Sequence, residues 1–260
     1  MPFEDYQSQR LCFAGREYTV YTKGQGPCVI LVHETPNAHP AVFELADHIA
    51  EAGFQLWLPS LFGIANAPVS PSKAIRFLAR SCIWKEFSVL AAHQSSPITE
   101  WLRGLGAYLH QKSQAPIGLI GMCITGNFAL ALCDEDWMKA PILSQPSLPF
   151  AISPWHAAAL HVSPQRLQKA KARDDLHILG LRFTGDLMCP ATRFDTLKST
   201  FGDRFEAIEI DSRPRNAYHI PPFAHAVLTL DRIHQAGHPT DDALKRCVEF
   251  LAERLQMHIS

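Results

Sequence analysis

A chain of 260 residues is long enough to bury a sizeable apolar core as one α/β domain, and a single domain over 1–260 is the expectation. With 47% apolar residues, 19% charged residues and a formal charge of −1, the composition argues against nucleic acid or a membrane surface as partner. The opening MPFEDYQSQR is polar and acidic where a secretory leader is basic and then apolar, and no apolar run approaches the ~18 residues needed to span a bilayer. A cytoplasmic protein is therefore expected.

The elements alternate. Val29–Val32 reads as a buried strand, and His39–Ala52 carries apolar residues at helical spacing, closed by Gly53. Phe54–Leu58 is a second strand ending at Pro59. Thr99–Gln111 places Trp101, Leu102, Leu105 and Leu109 on one helical face. Ile117–Gly121 is a short apolar strand, followed by a helix through Phe128–Cys133 and a β-like run from Pro141 to Leu143. Leu176–Phe183 is the next strand, then a helix at about Ala191–Thr200, a strand at Phe205–Ile210 and a last helix over Asp241–Leu255. Such alternation predicts a mostly parallel central sheet with helices on both faces. The segment 64–97 is too long for an ordinary connection, and its own helical stretch around Ser72–Cys82 suggests a small cap insertion.

On sheets of this kind ligands sit beyond the carboxyl ends of the strands, so the residues just after strands carry the chemistry. After the strand IGLI comes Gly121-Met122-Cys123-Ile124-Thr125-Gly126, with a helix expected beyond. This reads as a nucleophile elbow of the G-x-S-x-G type, with cysteine for serine and Gly121 and Gly126 as the small flanking residues. A thiol there faces helix N–H groups, which favour thiolate over a reference pKa of about 8.5. The other six cysteines, Cys12, Cys28, Cys82, Cys133, Cys189 and Cys247, form no C-x-x-C pair and read as small core hydrophobes.

The nucleophile needs a base and the base needs an orienting group, which on this fold follow in the order acid, histidine. Asp186 follows the strand HILGLRF at a turn into a helix, a position that also suits a helix cap. Of thirteen histidines, only His219 and His225 lie between the last strand and the last helix. His234, His238 and His258 read as exposed polar positions. Spacing alone does not choose between His219 and His225.

From about Glu17 to the C-terminus the chain resembles the dienelactone hydrolase family in four blocks: ILVHETPN with Glu34, IGMCITG with Cys123, GDLMCPATR with Asp186, and PPFAHAVL with His225. The resemblance implies an α/β-hydrolase fold and selects His225 by its Phe223-Ala224 context. It also implies that Glu34 lies beside the thiol and accepts its hydrogen bond, and that the backbone N–H groups of Thr35 and Ile124 form the oxyanion hole. The sequence departs from the family at Thr125-Gly126, where the elbow carries a glycine pair. It departs again at Thr229, where the enzymes acting on dienelactone itself have an arginine that holds the substrate carboxylate. Arg76 and Arg80 in the cap are candidates for binding an anionic substrate, and Trp84 and Phe87 for lining an apolar pocket.

The expected activity is hydrolysis of a small ester or lactone by a Cys–His–Asp triad through an acyl-enzyme. The reading from another class is a non-catalytic small-molecule sensor built on the same fold. His33-Glu34 lacks the H-E-x-x-H spacing of a zinc hydrolase, so no metal or cofactor is expected. A peroxide-sensing thiol would need a resolving cysteine near Cys123, and Cys133 is too far along the helix. No feature of the sequence specifies an oligomeric state.

Overall fold

The computed structural model of the chain describes residues 5–69 and 96–256. Of the expected cap, positions 70–95 lie outside the described residues, and with them Arg76, Arg80, Trp84, Phe87 and the stretch from Ser72 to Cys82.

The first element is one the sequence reading did not assign. Strand β1 (Gln7–Phe13) pairs antiparallel with β2 (Arg16–Lys23) in a register from Gln7 opposite Thr22 to Phe13 opposite Arg16. Ala14 and Gly15 connect them with φ of 50° and 72°, the backbone of a two-residue turn matched to strand twist. Most of β1 is exposed, so it carries no apolar alternation by which to recognise it.

The elements that follow are close to those expected. They are β3 (Cys28–Val32), α1 (Pro40–Glu51), β4 (Gln55–Pro59), α2 (Pro97–Ser113), β5 (Ile117–Met122) and, after a 3₁₀ turn over Cys123–Thr125, α3 (Gly126–Ala131). Then come β6 (Met138–Ser144), α4 (Pro154–Ala158), α5 (Pro164–Lys171), β7 (Ile178–Phe183), α6 (Ala191–Phe201), β8 (Phe205–Ile210) and α7 (Pro239–Arg254). The two short helices α4 and α5 were not expected. Each begins with proline behind a serine, Ser153 and Ser163, whose hydroxyl accepts a backbone N–H of the first turn.

The strands lie in the order β1-β2-β4-β3-β5-β6-β7-β8, and every pairing from β4 to β8 is parallel. Strands β3, β5 and β7 are buried along their whole length, as parallel strands covered on both faces must be. Alternate side chains feed two cores. Ile30, Val32 and Leu119 pack with Trp101, Leu105, Phe128 and Phe194 of α2, α3 and α6. Val29, Leu31, Ile120 and Leu181 pack with Phe43, Ile49, Leu244 and Phe250 of α1 and α7. At about 1.5–3 kcal/mol for each large apolar side chain removed from water, these two layers are what hold the strand ends in register. Among the described residues no helix is long and apolar enough to cross a membrane.

Candidate active site

The carboxyl ends of β3, β5, β6 and β7 converge on one edge of the sheet. Cys123 sits directly after β5 with φ of 57°, in the left-handed region that a non-glycine residue adopts only when its surroundings hold it there. Gly121 cannot carry a side chain, because a Cβ would lie 2.4 Å from the Thr125 carbonyl oxygen. The expected spacing needs one correction: Gly126 stands a residue beyond the second glycine of G-x-S-x-G, and Thr125 occupies that place. Thr125 is helical (φ −76°) and needs no glycine. Its hydroxyl accepts the Met122 N–H at 2.9 Å and lies 2.8 Å from the carbonyl oxygens of Val32 and Met122, tying the elbow to the end of β3.

His225, on the segment after β8, places Nδ1 2.7 Å from Asp186 Oδ2. Its backbone N–H and that of Ala226 both donate to Asp231 Oδ2 at 2.8 Å, so Asp231 pins the segment that carries the imidazole. The buried Nε2 has no partner of good hydrogen-bond geometry, yet Cys123 is the first group to raise the affinity of this ring for a proton. Burial alone would lower the imidazole pKa. The electrostatic and hydrogen-bonding influence of Cys123 and the Asp186 carboxylate overcomes it and pushes the pKa up to about 11. His219, the alternative, is exposed at φ 55° and takes no part. His238 corrects another expectation: it is buried, and its ring caps α7 by accepting the Thr240 N–H.

The segments bearing the acid and the histidine touch. A Cβ on Gly185 would lie 2.4 Å from the Pro222 carbonyl oxygen and 2.9 Å from Ser212 Oγ, so only glycine fits beside Asp186. Asp186 Oδ1 accepts the Met188 N–H at 2.9 Å, which leaves Oδ2 for the imidazole.

Glu34 lies at the end of β3, nearly fully buried, but the expected thiol hydrogen bond is not made. Its carboxylate takes His39 Nε2 at 3.0 Å, the Thr229 hydroxyl, and Gln145 Nε2 at 3.4 Å. Burial works to raise its pKa. The His39 and Thr229 hydrogen bonds and the nearby His225 outweigh that, and the carboxyl titrates below its usual range. His39, Gln145 and Thr229 were not singled out as partners of Glu34; only the position of Gln145, directly after β6, could have flagged one of them. Neighbouring His33 is fully buried and neutral, with Nδ1 donating to the Glu34 carbonyl at 2.7 Å and Nε2 accepting the Leu61 N–H at 3.1 Å.

The Thr35 N–H has no hydrogen-bond partner among the described residues, and Ile124 directly follows Cys123. Beside Asp186, Ile152 and Leu187 stand exposed over a groove of about 560 Å³ between the segments after β6 and β7. Among the described residues no group of three or more His, Cys, Asp and Glu side chains is placed to hold a metal ion.

The fold is shared with solved structures at low identity. A dienelactone hydrolase from Anabaena variabilis is 14% identical, with 96% of this chain and 99% of that one covered at a TM-score of 0.62. A dienelactone hydrolase-like promiscuous phosphotriesterase from metagenomic libraries is 13% identical, with 96% and 99% covered at 0.63. A cold-adapted esterase from an Arctic intertidal metagenomic library is 10% identical, with 96% and 94% covered at 0.61. No curated protein matches the sequence. The eight-stranded, mostly parallel sheet is thus that of the α/β-hydrolases, and the sequence model of one hydrolase family matches residues 14–254: the chain belongs to the dienelactone hydrolase family.

Proposed function

We propose that this hydrolase cleaves a carboxylic ester or lactone with Cys123 as nucleophile, His225 as acid and base, and Asp186 as the group that orients the imidazole. The observation that carries the reading is the arrangement around His225, with Asp186 on Nδ1 and an otherwise unpartnered Nε2, beside an elbow that holds Cys123 at positive φ.

The thiolate attacks the carbonyl carbon and a C–S bond forms. The oxygen that takes up the electron pair is held by the N–H groups of Thr35 and Ile124. Nε2–H of the imidazolium then protonates the leaving oxygen, the C–O bond breaks, and a thioester remains on Cys123. In the second half, neutral His225 takes a proton from water, hydroxide adds to the thioester carbonyl, and collapse expels the thiolate as the acid is released. Asp186 fixes the tautomer throughout. Glu34 belongs to the same centre as a buried negative charge that favours the imidazolium. Exposed Leu187 and Phe223, two residues or fewer from Asp186 and His225, give the rim an apolar character suited to uncharged acyl or alkoxy groups, in keeping with Thr229 standing where a carboxylate-binding arginine would be. The cap residues Arg80 and Trp84 remain candidates for substrate contact.

The test is rapid mixing with an activated aryl ester. A burst of one phenolate per chain, lost in Cys123→Ala and kept in Cys133→Ala, supports the covalent route. Undiminished turnover by Cys123→Ala overturns it, and ligand-dependent stabilisation with no product release at all would instead mark a sensor.

A further inference from the structure

Arg193, the third residue of α6, is 1% exposed, and among the described residues no carboxylate pairs with it. Its five N–H donors meet five backbone carbonyls instead. Nε donates to Ala159 at 3.2 Å, Nη1 to Pro146 at 2.7 Å and Met188 at 3.3 Å, and Nη2 to Pro149 at 2.5 Å and His156 at 3.1 Å. A buried cation is tolerated only when its hydrogen-bonding capacity is met, and the planar guanidinium fork meets it completely. Lysine, with three donors on one nitrogen, could not reach all five.

Two of these carbonyls lead to the reacting groups. Pro146 packs on the elbow, where a Cβ on Gly126 would lie 3.0 Å from its Cα, and the next residue, Ser147, donates its N–H to the Cys123 carbonyl at 3.1 Å. On the other side, Met188 gives its carbonyl to Arg193 and its N–H to Asp186 Oδ1. Asp186 holds His225, and His225 faces Cys123. Contacts therefore link the two halves of the site, from Cys123 through Ser147, Pro146, Arg193, Met188 and Asp186 to His225, whose affinity for a proton Cys123 in turn raises.

We infer that Arg193 is a positioning residue that sets the separation of Cys123 from the Asp186–His225 pair by clamping the chain after β6 against the chain after β7. The inference rests on the triad reading above. Apart from the short helix α4, both clamped segments are irregular backbone, and without the guanidinium their buried carbonyls lose hydrogen bonds and the segments shift to replace them. A displacement of about 1 Å at a reacting group is enough to cost on the order of a hundredfold in rate.

The experiment uses the full chain carrying Arg193→Met or Arg193→Lys. Ester kinetics and thermal midpoint are measured, together with the pH dependence of Cys123 alkylation by iodoacetamide, read by mass spectrometry of the Cys123 peptide. In both variants kcat falls about tenfold or more with KM changed less than about threefold, and the alkylation profile moves to higher pH as the imidazolium leaves the thiolate. A lower thermal midpoint with wild-type kcat, KM and alkylation profile overturns the inference, because the arginine then only stabilises the fold. Full retention of the wild-type profile by Arg193→Lys overturns it as well. A check that needs no variant is a crystal structure of the wild type: a guanidinium bridging the Pro146 and Met188 carbonyls supports the clamp, and its absence overturns it. Cys123→Ala, assayed alongside, separates the two readings. Activity retained there sinks the triad itself, whereas an inactive Cys123→Ala beside unaltered Arg193 variants sinks only the clamp.

Discussion

The hydroxyl of Thr229 donates to the carboxylate of Glu34, joining the segment after His225 to the end of β3 across 195 positions of sequence. Both groups are buried, so the bond is made away from competing water. Thr229→Val keeps the shape and removes the donor, which should lower stability by about 2 kcal/mol and raise the pKa of Glu34. Thr229→Ser should recover most of the loss. Denaturant midpoints of the three proteins decide it; a valine variant as stable as the wild type would mean that His39 and Gln145 satisfy the carboxylate on their own.

The pKa of His225 depends on its neighbours, and Cys123 leads those that raise it. In Cys123→Ala the imidazole should titrate well below the value of about 11 it has in the wild type, because burial then works against the charged ring with less opposition. Since a raised pKa keeps the ring protonated, the variant should lose the imidazolium at a lower pH. NMR titration of the His225 ring reads this directly, and an unchanged midpoint would show that Asp186 alone sustains the charge.

Asp186→Asn should leave the fold intact, because the side-chain oxygen can still accept the Met188 N–H. The amide NH₂ would then face Nδ1 and impose the wrong tautomer. A fall of about a hundredfold to ten-thousandfold in kcat/KM is expected in the ester assay. A loss of less than tenfold would remove Asp186 from the mechanism.

His33 gives a prediction about acid stability. Burial lowers its folded pKa to about 4 from an ordinary value near 6.5. As pH falls through that window, the unfolded chain takes up a proton that the folded one refuses, so stability declines by an amount on the order of 3 kcal/mol. His33→Asn, although weaker at neutral pH for want of the same hydrogen bonds, should show a shallower decline over the same range. Parallel slopes for the two proteins would assign the acid sensitivity to other groups.

What could be read from the sequence follows burial. Strands β3, β5 and β7 are apolar on both faces and announce themselves, and the rule that chemistry follows the strands leads to Glu34, Cys123 and Asp186. Strand β1 is mostly exposed and β2 largely half-buried, so the hairpin spells no pattern beyond its Ala14-Gly15 turn, while α4 and α5 are too short for periodicity. Arg193 looks like any arginine in the first turn of a helix. Its role depends on five carbonyls that lie between 5 and 47 positions away along the chain, and the order from Pro146 to Met188 gives no sign that they gather around it. His39 and Thr229 were invisible for the same reason: a partner brought in by tertiary packing leaves no local signature.

Gly185 and Pro222 meet backbone to backbone, with no room for even a methyl group between them. Neither segment can lengthen, shorten or shift without carrying the other along. Relatives that acquire new substrates on this framework must therefore remodel elsewhere than at this contact.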